Sequence, residues 1–154
     1  MLDTRIGRAS LAGRMEGKED MERFEGGCLC GQVRYVIEGD PAASMVCHCS
    51  HCQKQSGSAF STIIGVPENQ VSISGEPVTY RDNGESGRSV ERQFCGTCGS
   101  PLFSRVEVSP GMLWVKAGTL DDPSGYQPSA HIWTRSKQCW VDTGDIPAFD
   151  TNPG

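Results

Sequence analysis

The sequence predicts a mainly β fold, with short strands joined by tight turns, few short helices, and metal held by cysteines at the turns. Three observations carry this expectation. The 19 glycines and 9 prolines exceed the roughly 12% combined share usual in globular chains, which disfavours a helix bundle. Val33, Tyr35 and Ile37 alternate with Gln32, Arg34 and Val36, the period of a half-buried strand. Of the 8 cysteines, all but Cys139 fall in three tight groups: Cys28 with Cys30, Cys47 with Cys49 and Cys52, and Cys95 with Cys98. At 154 residues the chain has the size of one domain.

Taken in order, residues 1–22 mix arginine, lysine and acidic residues without strand alternation or a helical stripe, and read as a loose extension. A folded domain is expected over 23–146. It opens on a glycine-flanked turn around Cys28 and Cys30, followed by a strand over Gln32–Glu38. Ser50–Ser56 is the one segment that invites a helix, a short one capped by Ser50. Strands are expected over Phe60–Val66, Val71–Ser74, Arg88–Cys95, Leu102–Val108 and Leu113–Ala117. Asn83-Gly84 and Ser109-Pro110-Gly111 mark turns between them. His131–Trp133 and Cys139–Val141 read as late strands or extended segments, Cys139 as a buried thiol, and 147–154 as a loose tail.

Composition excludes several function classes. With 14 basic and 19 acidic residues the formal charge is −5, the wrong sign for a nucleic-acid footprint. The apolar runs are too short to span a membrane. The cysteine content lies below the roughly 8–10% that marks a disulfide scaffold. The first residues lack the apolar core of a secretory signal. A cytoplasmic setting follows, where thiols stay reduced and clustered cysteines more often bind metal.

Cys95-Gly96-Thr97-Cys98-Gly99 has the spacing of a zinc knuckle, in which two sulfurs from one turn reach a single ion at about 2.3 Å. Cys28 and Cys30 supply a second pair, and a closed shell of four thiolates is structural because no position remains for substrate. A redox pair at Cys95 and Cys98 is the alternative, but it belongs with βαβ patterning that is missing here. Cys47, Cys49 and Cys52 sit too close together for a second knuckle. Three ligands leave a fourth position open, as in catalytic zinc sites. Competing readings are a shell closed by His48 or His51, metal-free reduced thiols, and a redox sensor.

The three clusters in this order resemble those of the glutathione-dependent formaldehyde-activating enzymes, a family grouped with centromere protein V. The matching pieces are Gly27-Cys28-Leu29-Cys30-Gly31, Cys47-His48-Cys49 with Cys52-Gln53-Lys54, and Phe94-Cys95-Gly96-Thr97-Cys98-Gly99. Gly118-Thr119-Leu120-Asp121-Asp122-Pro123, His131-Ile132-Trp133, Ser136-Lys137 and Trp140 add support. The resemblance implies a β-tent fold of antiparallel sheets built around two zinc ions. One would be structural, on Cys28, Cys30, Cys95 and Cys98. The other would be catalytic and labile, on Cys47, Cys49 and Cys52. It also implies carbon–sulfur lyase chemistry that joins glutathione and formaldehyde reversibly into S-hydroxymethylglutathione, or acts on a related conjugate.

Zinc suits thiol addition to an aldehyde because it stabilises thiolate and polarises a carbonyl oxygen. Three thiolates against a divalent ion leave one negative charge, and a fourth thiolate adds another, which predicts a loosely held metal. Glutathione is anionic, so cations are needed. Lys54 is the first candidate, with Arg135 and Lys137 behind it; Ser56 offers a polar contact and Trp133 a wall. The alternative function is a non-catalytic zinc protein that binds glutathione or metal. No nucleic-acid or membrane partner is expected.

Overall fold

A computed structural model describes residues 22–153, so the expected N-terminal extension lies, but for Glu22, outside the described residues. The elements are β1 (Arg23–Gly27), β2 (Arg34–Glu38), β3 (Ala43–Cys47), α1 (Ser50–Ser56), β4 (Ser61–Pro67), β5 (Val71–Ser74), β6 (Val78–Asn83), β7 (Ser89–Phe94), β8 (Pro101–Val106), β9 (Met112–Lys116) and β10 (Ala130–Ile132). They form a three-stranded sheet in the order β1-β2-β5 and a seven-stranded sheet in the order β10-β3-β4-β9-β8-β7-β6. Every pairing is antiparallel except that of β10 with β3. The expected mainly β class holds.

Alternation decides which side chains enter the core between the sheets. Val33, Tyr35 and Ile37 are 2%, 1% and 0% exposed and meet Ile64, Val66, Leu113 and Val115 of the larger sheet. Tyr35 and Phe103 pack edge to face with ring centroids 5.3 Å apart, and the Tyr35 hydroxyl is 2.8 Å from Thr119 Oγ1. On β4, Ile64 faces this core while its neighbour Ile63 faces a second cluster on the opposite side of the sheet. That second cluster holds Cys47, Cys49, Cys52, Ile132 and Trp133, backed by Met45 and Trp114.

Gly65 of β4 lies directly across from Trp114 of β9, and a Cβ on it would meet the indole ring at 2.8 Å. Gly65→Ala is therefore an overpacking change with an expected cost of about 1–3 kcal/mol, read as a lower urea midpoint at unchanged slope.

Helix α1 spans the expected residues, but its cap is Cys49 rather than Ser50. The Cys49 sulfur accepts the Cys52 amide, and Gly57, at φ 63°, closes the other end. Three strands escape the sequence pattern: β1, β3 and the edge strand β6. In β6 the outward and inward positions are both largely exposed, so no apolar alternation marks it. Cys139–Val141 forms no strand, and Cys139 is exposed rather than buried.

The tail also departs from expectation. Rather than running loose, residues 147–153 lie along the free edge of β10. His131 N–H donates to Pro147 C=O (2.8 Å), Phe149 N–H to His131 C=O (2.8 Å) and Trp133 N–H to Thr151 C=O (3.2 Å). The tail thus satisfies backbone groups that an edge strand would leave open.

Candidate metal centres and the adjoining pocket

Two turns bring the first sulfur group together. Cys28 and Cys30 follow β1, and Cys95 and Cys98 lie between β7 and β8. Their four sulfurs all lie within 4.8 Å of one another. Cys28 and Cys30 are 3.6 Å apart and Cys30 and Cys95 3.7 Å, close to the edge of about 3.8 Å for a tetrahedron of sulfurs around zinc. None of the four is in a disulfide. The Val33 amide donates to Cys28 Sγ (3.2 Å) and the Thr97 amide to Cys95 Sγ (3.4 Å). The Ser100 hydroxyl and amide hold the Cys98 thiol down to about 5. Donors aimed at sulfur and closely spaced free thiols fit a metal cation.

The second group comes from the end of β3 and the start of α1. The sulfurs of Cys47, Cys49 and Cys52 also lie within 4.8 Å of one another. Their mutual hydrogen bonds push Cys52 well below its ordinary thiol value, with Lys116 and Arg92 adding to the effect, and push Cys47 up. Within the trio Cys52 favours the ionised form, while Cys47 and Cys49 are held as thiols, Cys49 pushed up to about 11 by its neighbours and by burial.

Neither neighbouring histidine belongs to this group among the described residues. His48 is fully buried and engaged with His131. Its Nε2 is 2.8 Å from His131 Nδ1, and the two rings stack. The half-exposed His51 places Nδ1 2.9 Å from Asp82.

The three thiols line a cavity of about 370 Å³, within the size range of small-molecule sites. Met45, Ile63 and Trp114 make its apolar wall, and Arg92, Ser104 and Lys116 a polar one. Glu85 and Arg88, from the hairpin between β6 and β7, also line it. Trp133 lines the pocket too, as do Asn152 and Pro153 of the tail. The Trp133 indole donates to Asn152 Oδ1 (2.8 Å), and the Arg135 guanidinium stacks 4.8 Å above the same ring.

The other expected ligand contacts lie elsewhere. Lys54 is exposed and does not line the cavity. Ser56 turns its hydroxyl onto the Cys52 carbonyl (2.7 Å), serving the helix end rather than the pocket. Lys137 bonds the Val141 carbonyl (2.6 Å) and Arg135 pairs with Glu85 (3.5 Å). In their place stand Lys116 and Arg92, which sequence reasoning missed. Both lie in expected strands, but nothing in the sequence shows that the face they share with Trp114 is covered.

Comparison with known proteins agrees with this architecture. The family model described as glutathione-dependent formaldehyde-activating enzyme matches residues 23–136. Proteins of Aspergillus flavus and Aspergillus oryzae, both provisionally named as such enzymes, are each 33% identical over 112 residues, covering 68% of this chain and 58% of the relative. A Fusarium vanettenii protein with the same provisional name is 34% identical over 89 residues, covering 54% of this chain and 47% of its own length. The chain thus spans less than two thirds of the length of these curated relatives. A crystal structure of a Rhodobacter sphaeroides protein shares the fold at 18% identity, with a TM-score of 0.53, over 80% of this chain and 98% of that one. Among the described residues no helix is long and apolar enough to cross a membrane. With a family match that takes in all ten described strands and both sulfur groups, the chain belongs to the glutathione-dependent formaldehyde-activating enzyme family.

Proposed function

We propose that this chain is a zinc-dependent carbon–sulfur lyase that joins glutathione and formaldehyde into S-hydroxymethylglutathione, reversibly. The observation that carries the reading is a group of three buried thiols, unclosed by either nearby histidine, lining a pocket of small-molecule size. Cys28, Cys30, Cys95 and Cys98 hold a structural zinc, and Cys47, Cys49 and Cys52 a catalytic one. The family match and the names of the relatives support the substrate pair.

Bound zinc supplies a Lewis acid that holds a thiol as thiolate and polarises a carbonyl oxygen. The chain's own residues do the rest. Cys47, Cys49 and Cys52 would hold the ion from the end of β3 and the start of α1, where all three line the pocket. Trp114 and Trp133 line the same pocket. Lys116 places a buried amine beside the thiols; burial pushes its pKa down while Cys52, Cys47 and Cys49 pull it back up, its Nζ donates to Ser61 Oγ (2.9 Å), and it has no carboxylate partner among the described residues. In its protonated form it would offset part of the excess thiolate charge counted from sequence.

A non-catalytic zinc protein would gain from a second shell closed by His48 or His51, and neither ring joins the group. Reduced cysteines suit a cytoplasmic setting.

The test is formaldehyde exchange with glutathione, followed by NMR on protein purified without chelators. Exchange faster than in buffer is expected. A rate equal to buffer removes this substrate pair.

A further inference from the structure

Beside the thiols the pocket carries a second group of side chains with donors to spare. Strands β7, β8 and β9 run side by side, and their register sets Arg92 opposite Ser104 and Ser104 opposite Trp114. Lys116, two residues beyond Trp114, rises from the same face. Arg92, Ser104 and Lys116 are 6%, 5% and 6% exposed, and all three line the cavity.

Each is under-used by the fold. The Ser104 hydroxyl is buried with no hydrogen-bond partner. Lys116 bonds only Ser61 Oγ among the described residues. Arg92 donates from Nε to Asp82 Oδ1 (3.1 Å), and neither terminal nitrogen of its guanidinium makes a side-chain bond among the described residues. The nearby carboxylates are engaged: Asp82 bonds both Arg92 and His51, and Glu85 accepts from the Ser50 amide (2.6 Å). Buried donors left unpaired are costly, so convergent unspent donors in a cavity signal a ligand that completes them.

We infer that Arg92, Ser104 and Lys116 form an anion subsite that receives a carboxylate of the thiol substrate while its sulfur lies at Cys47, Cys49 and Cys52. A guanidinium fork, a hydroxyl and an ammonium together match the acceptor-only chemistry of a carboxylate. The sulfur end of this statement rests on the proposed lyase reading; the anion end does not. The substrate class is then a thiol conjugate bearing a free carboxylate, and neutral thiols are selected against.

The test is calorimetric titration of the metal-loaded full chain with S-methylglutathione, which has the carboxylates but no free thiol, and with its diethyl ester. The acid is expected to bind wild type at least tenfold more tightly than the ester. Arg92→Gln is expected to lose tenfold or more for the acid and leave the ester unchanged, and Lys116→Met, which also faces the thiols, to lose at least tenfold more for the acid than for the ester. Ser104→Ala, which removes a hydroxyl that the fold does not use, is the variant safest for folding; it is expected to lose several-fold for the acid alone. Equal affinity of wild type for acid and ester, or no binding of the acid, overturns the subsite. So does an equal loss for both ligands in Lys116→Met and Ser104→Ala with metal content retained, which would make Lys116 a counter-charge for the thiolates only. Acid-selective binding without formaldehyde exchange would leave the subsite standing and remove the lyase reading instead.

Discussion

Cys95→Ser is expected to leave the domain unfolded at room temperature. Cys95 is buried within the core cluster, and its sulfur group ties the turn after β1 of the small sheet to the β7–β8 turn of the large one. Those segments are 65 residues apart in sequence, so the chain between them is free in the unfolded state and closed in the folded one. A structural zinc contributes roughly 10–16 kcal/mol to folding in small zinc domains, against a net stability of only about 5–15 kcal/mol for a typical domain. Losing one of four thiolates from a closed shell removes much of that contribution. The measurement is a thermal melt followed by circular dichroism, with metal analysis alongside. A cooperative transition within a few degrees of wild type would show that this group does not hold the fold together. A strong chelator is expected to reproduce the Cys95→Ser result in the wild-type chain.

Cys49→Ser is expected to have the opposite profile, with the fold kept and the activity lost. The Cys47, Cys49 and Cys52 group lies on the face of the large sheet turned away from the core between the sheets, so the main apolar packing does not depend on it. Cys49 is also the N-cap of α1, and serine is among the preferred residues at that position. The helix therefore retains a cap while the metal group loses a thiolate. A catalytic metal supplies several kcal/mol of transition-state stabilisation, and each 1.36 kcal/mol is tenfold in rate, so the exchange rate is expected to fall by roughly 1000-fold or more. Metal content should drop from two ions per chain to one, with a melting temperature near that of wild type. Wild-type exchange in Cys49→Ser would remove the group from the chemistry.

The contrast between these variants reflects what each cluster is built into, and the sequence already separates them. Two sulfurs in one turn are constrained by covalent reach alone, and the spacings at Cys28–Cys30 and Cys95–Cys98 imply half-sites before any sheet is known. The burial of Val33, Tyr35 and Ile37 is equally local, because a period of two puts them on one face wherever the strand docks. The short helix over Ser50–Ser56 follows from its sequence too, although its cap sits one residue earlier on a sulfur.

The substrate side of the pocket has no such local signature. Lys54 stands out in sequence because it neighbours Cys52, yet α1 presents it to solvent. Lys116 follows Cys52 by more than sixty residues, and becomes its neighbour in space because β9 pairs with β4 and places Lys116 beside Ile63 and Ser61. Arg92 and Ser104 join it through the non-sequential strand order β4-β9-β8-β7. The tail illustrates the same point. It has no apolar run to announce burial, and only the open edge of β10 supplies the backbone partners that hold it against Trp133.

The strand-rich class, the sulfur pairs, the three-thiol turn and the family likeness are all legible in the order of residues, since each depends on spacing within a few positions. Which cations face the thiols, the exclusion of both neighbouring histidines from them, and the tail's place in the pocket wall emerge from the folded chain alone. Those outcomes depend on sheet order and edge pairing, which are settled by packing between distant segments.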